Sequence, residues 1–487
     1  MKNLFKNKRV TIMGLGLHGG GAGVAKFFYE QGAEVLVTDL KTKEQLEKSL
    51  KKLRKFNIKY RLGEHKEEDF INTDLIIKNP AVPQSSRYLE IARNNKVSIT
   101  TDINIFFELS RAFAIGVTGT KGKSTTATLI YEILKSKSRN TILAGNIGVS
   151  PLEFLDKINE KSKVVLELSN FELEDLKKSP QIAVITAIYP DHLDRYGSYE
   201  EYIESKKPIF KYQKPTDFLI LNYDNPQVRN FEKDANSNIY FFSNNFYLKR
   251  DKKNPGCFIE DNNVFFANET EPIFNIEEIK LPGEHNISNI LGAVTVAKIL
   301  KIPNKNIKKV VSKFGGVSNR QQVIAQINGV KYINDTTATM PEAVIQALKT
   351  IKGEDSQSRI ILIAGGQDKK LEYKELAKEI IGKVEKLVLL PGTASEKIKR
   401  ELFNIKPNFK VISVESMVGA VKEASLGIQN KDIILLSPAA ASFTPLGVIK
   451  RKTKKEDKAL KPLTGFNLFK NEFDRGEQFI KAVKKLK

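Results

Sequence analysis

The chain has one cysteine, Cys257, in 487 residues, so a disulfide framework within it is excluded. It also has no apolar run approaching the ~20 residues that a membrane-spanning helix needs. The basic stretch 1–9 leads into an apolar segment that is short and broken by Gly14 and Gly16. That segment reads as a first strand, not a secretory signal, and the expected location is cytoplasmic. Histidine is scarce, at His18, His65, His192 and His285 only. Acidic residues number 57 against 79 Lys and Arg, leaving a net charge of +22. Such a charge can mark an anionic partner. Here the lysines are scattered, with no aromatic-interleaved basic motif and no RNA-binding signature. They read as a composition bias on solvated faces, and no nucleic acid is expected.

What is present is ordinary in bulk, 41% hydrophobic and 28% charged, as in soluble globular proteins. The length implies two to four domains. The most informative stretch is Gly119-Thr120-Lys121-Gly122-Lys123-Ser124-Thr125. An apolar run at 113–117 predicts a strand before it, and 126–134 predicts a helix after it. A strand, a Gly-rich turn and a helix N-terminus make a phosphate cradle, with converging N–H groups, a favourable dipole and a lysine for the terminal phosphates. Ser124 falls where a hydroxyl can ligate Mg²⁺. The strict P-loop spacing wants glycine at position 117, where Val117 stands, so this is a variant loop.

Three α/β segments are expected, over residues 1–111, 112–315 and 316–487. The first opens with a strand at 9–13, then Gly14, Gly16 and Gly19 in G-x-G-x-x-G spacing, a helix at 23–31 and a strand at 34–37. Asp39 falls where such units carry a ribose-binding acid. A strand at 75–78 runs into Asn79-Pro80-Ala81-Val82-Pro83. In the second segment, strands at 164–166 and 182–188 run into Glu167-Leu168-Ser169-Asn170 and Tyr189-Pro190-Asp191-His192. Ligands of parallel sheets bind at such strand ends. Residues 238–280 read as short antiparallel hairpins. In the third, strands are expected at 330–333, 360–364, 386–390 and 432–436, and the basic stretch 448–462 reads as an exposed loop.

A nucleoside triphosphate with Mg²⁺ calls for hard oxygen ligands, and Glu167 beside Ser124 is a candidate, with a solvated strand-end acid as the alternative. Asn286 and Asn289 share a helix face and can read a base edge or merely cap the helix. Asp335, after the strand at 330–333, can bind a ribose or order a turn.

Taken together, these motifs resemble the Mur ligase family, over essentially the whole chain and in order. The phosphate loop Gly119 to Thr125 matches that family's own loop. Gly145-Asn146-Ile147-Gly148, Leu166-Glu167-Leu168-Ser169, Asp191-His192-Leu193-Asp194-Arg195-Tyr196 and Gly283-x-His285-Asn286-x-x-Asn289 match its central motifs. The Gly14 to Gly19 turn, Leu436 to Phe443 and Lys470 to Phe479 point within the family to its D-glutamate-adding branch. The resemblance implies an α/β fold of three domains: a Rossmann-like UDP-sugar-binding domain, a central P-loop-type ATPase with a mostly parallel sheet, and a Rossmann-like amino-acid-binding domain. It implies an ATP-dependent amide ligase of peptidoglycan synthesis that joins D-glutamate to UDP-N-acetylmuramoyl-L-alanine through an acyl phosphate. A sister ligase adding another amino acid is the alternative.

The resemblance also implies roles. Lys123 contacts the β- and γ-phosphates within an ATP site of Gly119, Thr120, Lys121, Gly122, Ser124, Thr125, Asn286, Asn289, Arg320 and Asp335. Asn146 and Arg320 hold the reacting phosphate. Ser124 and Glu167 bind one Mg²⁺, and His192 binds a second, with Lys206 as a carbamylated metal ligand (Lys207 beside it leaves a one-residue ambiguity). Gly16, Leu17, His18, Gly19, Asp39 and Asn79 contact the uridine diphosphate sugar, so the first Gly-rich turn serves a diphosphate and not NAD. Thr339, Lys369, Ser442, Phe443 and Phe473 form the D-glutamate pocket, where a lysine and hydroxyls suit two carboxylates. A monomer is the expected form.

Two departures stand out. The family often has lysine where this chain has Thr337. A lysine-rich stretch of roughly twenty residues, about 444–465, separates Ser442-Phe443 from the Lys470 motif; it reads as a neutral surface insertion. Two readings of other classes, an NAD-binding protein and a charge-driven nucleic-acid binder, leave the phosphate loop and the C-terminal motif unexplained.

Overall fold

The structure, a computed structural model, describes residues 3–16, 20–43, 46–189, 196–245, 255–267, 269–281, 283–354, 357–368, 371–442 and 468–486. Its strands form three sheets. The first has the order β3 (Lys59–Leu62), β2 (Glu34–Asp39), β1 (Arg9–Met13), β4 (Leu75–Lys78), β5 (Ser98–Thr100) and is parallel throughout. The second has nine strands. Its order is β14 (Phe274–Asn275), β13 (Asn263–Phe266), β12 (Gly256–Glu260), β11 (Asn238–Phe242), β10 (Phe218–Asn222), β9 (Ile182–Ile185), β6 (Phe113–Thr118), β8 (Lys163–Glu167), β7 (Thr141–Gly145). The third is β15 (Gln322–Ile327), β16 (Val330–Asn334), β20 (Ile433–Leu436), β17 (Ile360–Gly365), β18 (Val384–Leu390), β19 (Val411–Ser413). The central strands are continuous apolar runs, such as Ile182-Ala183-Val184-Ile185 and Ile433-Ile434-Leu435-Leu436, buried along their whole length. That is the pattern of parallel strands covered by helices on both faces.

The fold is α/β as expected, and the differences are local. The helix expected over 126–134 spans Lys123–Lys135. Gly122 takes a left-handed φ of 87°, open to glycine at low cost, and turns the chain directly from loop into helix. Lys123, Ser124 and Thr125 therefore stand in the first helical turn. The strand expected over 182–188 stops at Ile185, because Thr186 turns its hydroxyl to the carbonyls of Thr118 and Lys121. Residues 238–280 are only partly hairpin. β11 and β12 extend the parallel sheet, and antiparallel pairing is confined to β12–β13–β14. Helical turns at Pro226–Arg229 and Asn230–Asp234 return the chain to the start of β11, the crossover that parallel pairing demands.

Contacts divide the chain into two compact units: Met1–Lys280 with Glu284–Phe314, and Leu281–Gly283 with Gly315–Lys487. The first holds two sheets that share one apolar core. Ile103, Ile105 and Phe106 from the helix Asp102–Leu109 belong to the same buried cluster as Leu152, Leu155, Leu173 and Leu176. The second unit packs helices on both faces of its six-stranded sheet, in two separate clusters.

Candidate active site

Each sheet presents polar turns at the carboxyl ends of its central parallel strands, where the order of strands reverses and a crevice opens. In the first sheet these are the turns after β1 and β4. Gly14 and Gly16 have φ of 93° and 68°. Asp39, at the end of β2 and buried, accepts the N–H groups of Leu15 (2.9 Å) and Gly16 (3.1 Å) on Oδ2, and that of Lys41 (2.9 Å) on Oδ1. Asn79 Nδ2 donates to the Gly14 carbonyl at 3.3 Å. A Cβ at Gly14 would stand 2.8 Å from the Asn79 Cβ, so only glycine lets the two turns meet. Gly16, Asp39 and Asn79 are thus one cluster, and Asp39 acts on the turn itself. Leu17, His18 and Gly19 lie outside the described residues.

In the second sheet the turn after β6 is held from three sides. Thr120 N–H donates to the Ala187 carbonyl (2.6 Å), and Thr186 Oγ1 donates to the Lys121 carbonyl (2.5 Å). Lys123 Nζ folds back on the carbonyls of Gly119 (2.8 Å) and Thr120 (3.2 Å). The helix has no side-chain N-cap, and its first backbone bond runs from Thr126 N–H to the Gly122 carbonyl at 2.9 Å. The N–H groups of Ser124 and Thr125 precede that bond, which is the arrangement that binds phosphate. Asn289, on the helix Glu284–Ile299, closes the far side: a Cβ at Gly122 would lie 2.1 Å from its Oδ1. Asn289 Nδ2 also donates to Asn286 Oδ1 at 3.3 Å, and both are buried.

Beside this turn, Asn146 Nδ2 donates to Glu167 Oε1 at 3.1 Å. Glu167 is buried, and its Oε2 has no hydrogen-bond partner among the described residues. An orphaned buried carboxylate oxygen calls for a cation. With Ser124 on the neighbouring helix turn, it fits a hard ion such as Mg²⁺. Lys206 is fully buried, with its Nζ 4.3 Å from the Tyr202 ring centroid. Tyr202 OH in turn shares a hydrogen bond with Thr120 Oγ1 at 2.9 Å, so Lys206 connects to the phosphate turn through one side chain. Lys207 instead points to Glu204 (2.5 Å) and Asp234 (2.9 Å). Of the two lysines, Lys206 is the one that packs on Tyr202, the residue bonded to the phosphate turn. His192 lies outside the described residues.

The second unit repeats the pattern at the ends of β16, β20 and β17. Asp335 is buried and accepts from Gln321 N–H (3.1 Å) and Ser437 Oγ (2.8 Å). It thereby orders the turn that carries Arg320, which is exposed. Thr337 Oγ1 donates to the Asn319 carbonyl at 2.9 Å, so the residue that replaces a lysine steadies the same turn. Ser442 Oγ is buried without a partner among the described residues. It closes a turn in which Ala439 takes a φ of 57°, a strained conformation of the kind found at ligand sites. Thr339 and Phe473 are half-buried. Lys369, Phe443 and the insertion 444–465 lie outside the described residues.

Residues 8–101 match the family described as Mur ligase MurD-like, N-terminal domain. Residues 117–297 match the Mur ligase middle domain, and 319–440 the Mur ligase glutamate ligase domain. The UDP-N-acetylmuramoylalanine–D-glutamate ligase of Roseiflexus sp. (strain RS-1) is 38% identical over 485 residues, 98% of each chain. The chain belongs to the Mur ligase family. The equivalently named ligase of Acetivibrio thermocellus is 35% identical over 99% of this chain and 97% of its own. Among solved Mur ligase structures, the UDP-N-acetylmuramate-alanine ligase of Thermotoga maritima aligns over 99% of this chain and all of its own, with a TM-score of 0.63 at 19% identity. The ADP complex of a MurF ligase from the same organism aligns over 99% of this chain and 97% of its own, with a TM-score of 0.52 at 17% identity. At those identities they establish the Mur ligase fold.

Several supporting residues of this Mur ligase escape motif reading. Thr186 and Tyr202 have ordinary side chains whose partners are distant in sequence. Arg475, inside the C-terminal motif, is fully buried. Its Nε and Nη2 donate to Thr336 Oγ1 (3.1 Å) and the Thr336 carbonyl (2.9 Å), and Nη1 to the Ala440 carbonyl (3.2 Å). It bridges the turns after β16 and β20. Burial pulls its guanidinium down to about 9, still a cation at neutral pH. A signal for it was present, an arginine amid apolar helix positions.

Proposed function

We propose that this chain is the ATP-dependent ligase that adds D-glutamate to UDP-N-acetylmuramoyl-L-alanine. The observation that carries this is the full-length likeness to D-glutamate ligases, joined to a phosphate turn whose first helical N–H groups precede the first helical hydrogen bond. The domains are residues 1–111 for the UDP-sugar, 112–315 for ATP and 316–487 for the amino acid.

The substrate carboxylate attacks the γ-phosphorus of ATP; a C–O–P bond forms as the bond to ADP breaks. The amine of D-glutamate then attacks the acyl-phosphate carbonyl, the C–N bond forms, and phosphate leaves as the amine loses its proton. Such steps depend on positioning and on neutralising charge. Lys123 and the N–H groups of Ser124 and Thr125 hold the phosphates, and Asn146 and Arg320 orient the transferred group. Asn286, Asn289 and Asp335 serve the adenosine. Gly16, Leu17, His18, Gly19, Asp39 and Asn79 receive the uridine diphosphate sugar, and Asp39 also shapes the turn at Leu15 and Gly16. Thr339, Lys369, Ser442, Phe443 and Phe473 receive D-glutamate. Ser124 and Glu167 would hold one Mg²⁺, and His192 with a carbamylated Lys206 a second. Bound there, the ions supply charge neutralisation for the phosphates. The protein works as a cytoplasmic monomer.

The test is phosphate release with UDP-N-acetylmuramoyl-L-alanine, ATP and Mg²⁺, with amino acids offered singly. Release with D-glutamate alone is expected. Release only with another amino acid refutes the specificity, and release with none, from folded protein, refutes the ligase reading.

A further inference from the structure

Lys78 ends β4, one residue before Asn79, and its side chain has no solvent exposure. Its Nζ lies 2.7 Å from Asp175 Oδ2 and donates to the Val82 carbonyl at 3.2 Å. Val82 N–H donates to the Asn79 carbonyl at 2.9 Å, so the ammonium closes the Asn79–Val82 turn from inside. Asp175 belongs to the connection between β8 and β9 of the second sheet. It follows the short helix Asn170–Leu173, which begins three residues after Glu167. Its Oδ1 accepts from Gln84 Nε2, just past the same turn. Its main-chain carbonyl accepts from the buried Asn104 Nδ2 at 2.6 Å, and Asn104 Oδ1 accepts from Lys177 N–H at 3.0 Å. One carboxylate therefore takes both ends of the turn that carries Asn79 and fixes them to the segment that leaves the metal-binding strand end. A lysine out of water needs a counter-charge. Here that requirement is met across the two sheets, where it also sets a spacing.

Resting on the ligase reading above, we infer that Lys78, through Asp175, is a positioning residue. It sets the distance between the turn that receives the uridine diphosphate and the strand ends where the far carboxylate of the same substrate reacts. A substrate gripped at both ends reacts only if the two grips are correctly spaced, and a displacement near 1 Å costs on the order of 100-fold.

The experiment compares wild type with Lys78→Met, Asp175→Leu and the double variant. It measures thermal unfolding, steady-state kinetics, and calorimetric binding of UDP alone and of UDP-N-acetylmuramoyl-L-alanine. Each single variant strands a charge and is expected to melt lower. The double variant replaces a buried pair with packed apolar groups, which is commonly neutral for stability. It is expected to melt near wild type and bind UDP within twofold. It should bind the whole substrate more weakly and lose kcat by about tenfold or more, with the KM for ATP unchanged. A double variant with wild-type kcat and substrate affinity overturns the inference, as does one that loses UDP binding equally, since the turn itself would then have collapsed. Should the double variant fail to fold, Gln84→Leu keeps the ion pair and loosens the outer tie, with Arg93→Leu, which removes the 2.7 Å bond that Arg93 Nη2 gives Gln84 Oε1 but leaves the tie, as the control. A rise of about threefold in the KM for the UDP substrate supports the inference, and no change overturns it. Wild type that binds no UDP substrate refutes the ligase reading and this inference together. Equal binding by wild type and variants refutes the inference alone.

Discussion

Two glycine-rich turns follow two parallel strands in this molecule, and they are locked in opposite ways. The turn after β1 gives its N–H groups at Leu15 and Gly16 to the Asp39 carboxylate. The turn after β6 is held mostly through its carbonyls, by Thr186 and Lys123, with one N–H, that of Thr120, given to Ala187. The first is a turn whose leading N–H groups are taken up by a fixed anion. The second leaves the N–H groups of Ser124 and Thr125 ahead of its first helical bond, with the Lys123 ammonium folded against the turn. Similar glycine spacing thus encodes two electrostatic environments, and the neighbouring strand decides which.

The comparison can be broken most sharply at the charges. Lys123→Ala is expected to lower turnover by roughly 10³-fold while leaving calorimetric binding of the UDP substrate intact. The glycines should then separate. Gly122→Ala puts a Cβ 2.1 Å from Asn289 Oδ1 in a left-handed residue and is expected to abolish ATP binding. In Gly16→Ala the nearest atom is 3.5 Å away, which leaves only the conformational strain of about 1–2 kcal/mol, read as a lower melting temperature with ATP binding preserved. Equal damage from both would show that the two turns tolerate side chains alike. Asp39→Asn takes the charge from three hydrogen bonds and leaves one oxygen where two accepted. A rise of about tenfold in the KM for the UDP substrate is expected, with the ATP KM unmoved.

The smallest effect lies beside the second turn. Burial raises Glu172 from 4.5 to about 8. Between those values the unfolded chain has released the proton and the folded chain has kept it, so stability falls as pH rises through the window. Glu172→Gln keeps the capping partner of Ser169 and removes the proton linkage. At pH 8 it should raise stability by about 1 kcal/mol or more, and at pH 4 it should change little, in denaturant melts at the two pH values.

Much of this was legible in the sequence, for a physical reason. The strand, turn and helix around Gly119 to Thr125 are local, and each glycine that must take a positive φ is visible as a glycine. What could not be read was whatever depends on the order of strands. Asp39 is legible as a strand-end acid, but that its carboxylate takes the N–H groups of Leu15 and Gly16 follows only once β2 is placed beside β1. Lys78 and Asp175 are 97 residues apart in sequence. No periodicity or motif relates them, because their meeting is a property of two sheets sharing one core. Arg475 sat inside a recognised motif, yet two of its three bonds go to backbone carbonyls, which leave no mark on side-chain identity.

The place of β20 has a consequence for biogenesis. It lies between β16 and β17, although the chain makes it almost one hundred residues after β16, and the arginine that ties its turn comes later still. During synthesis the two flanking strands therefore have no central partner until β20 has left the ribosome. This sheet must close late, and premature termination anywhere before β20 leaves two adjacent open edges for chaperones and proteases to find.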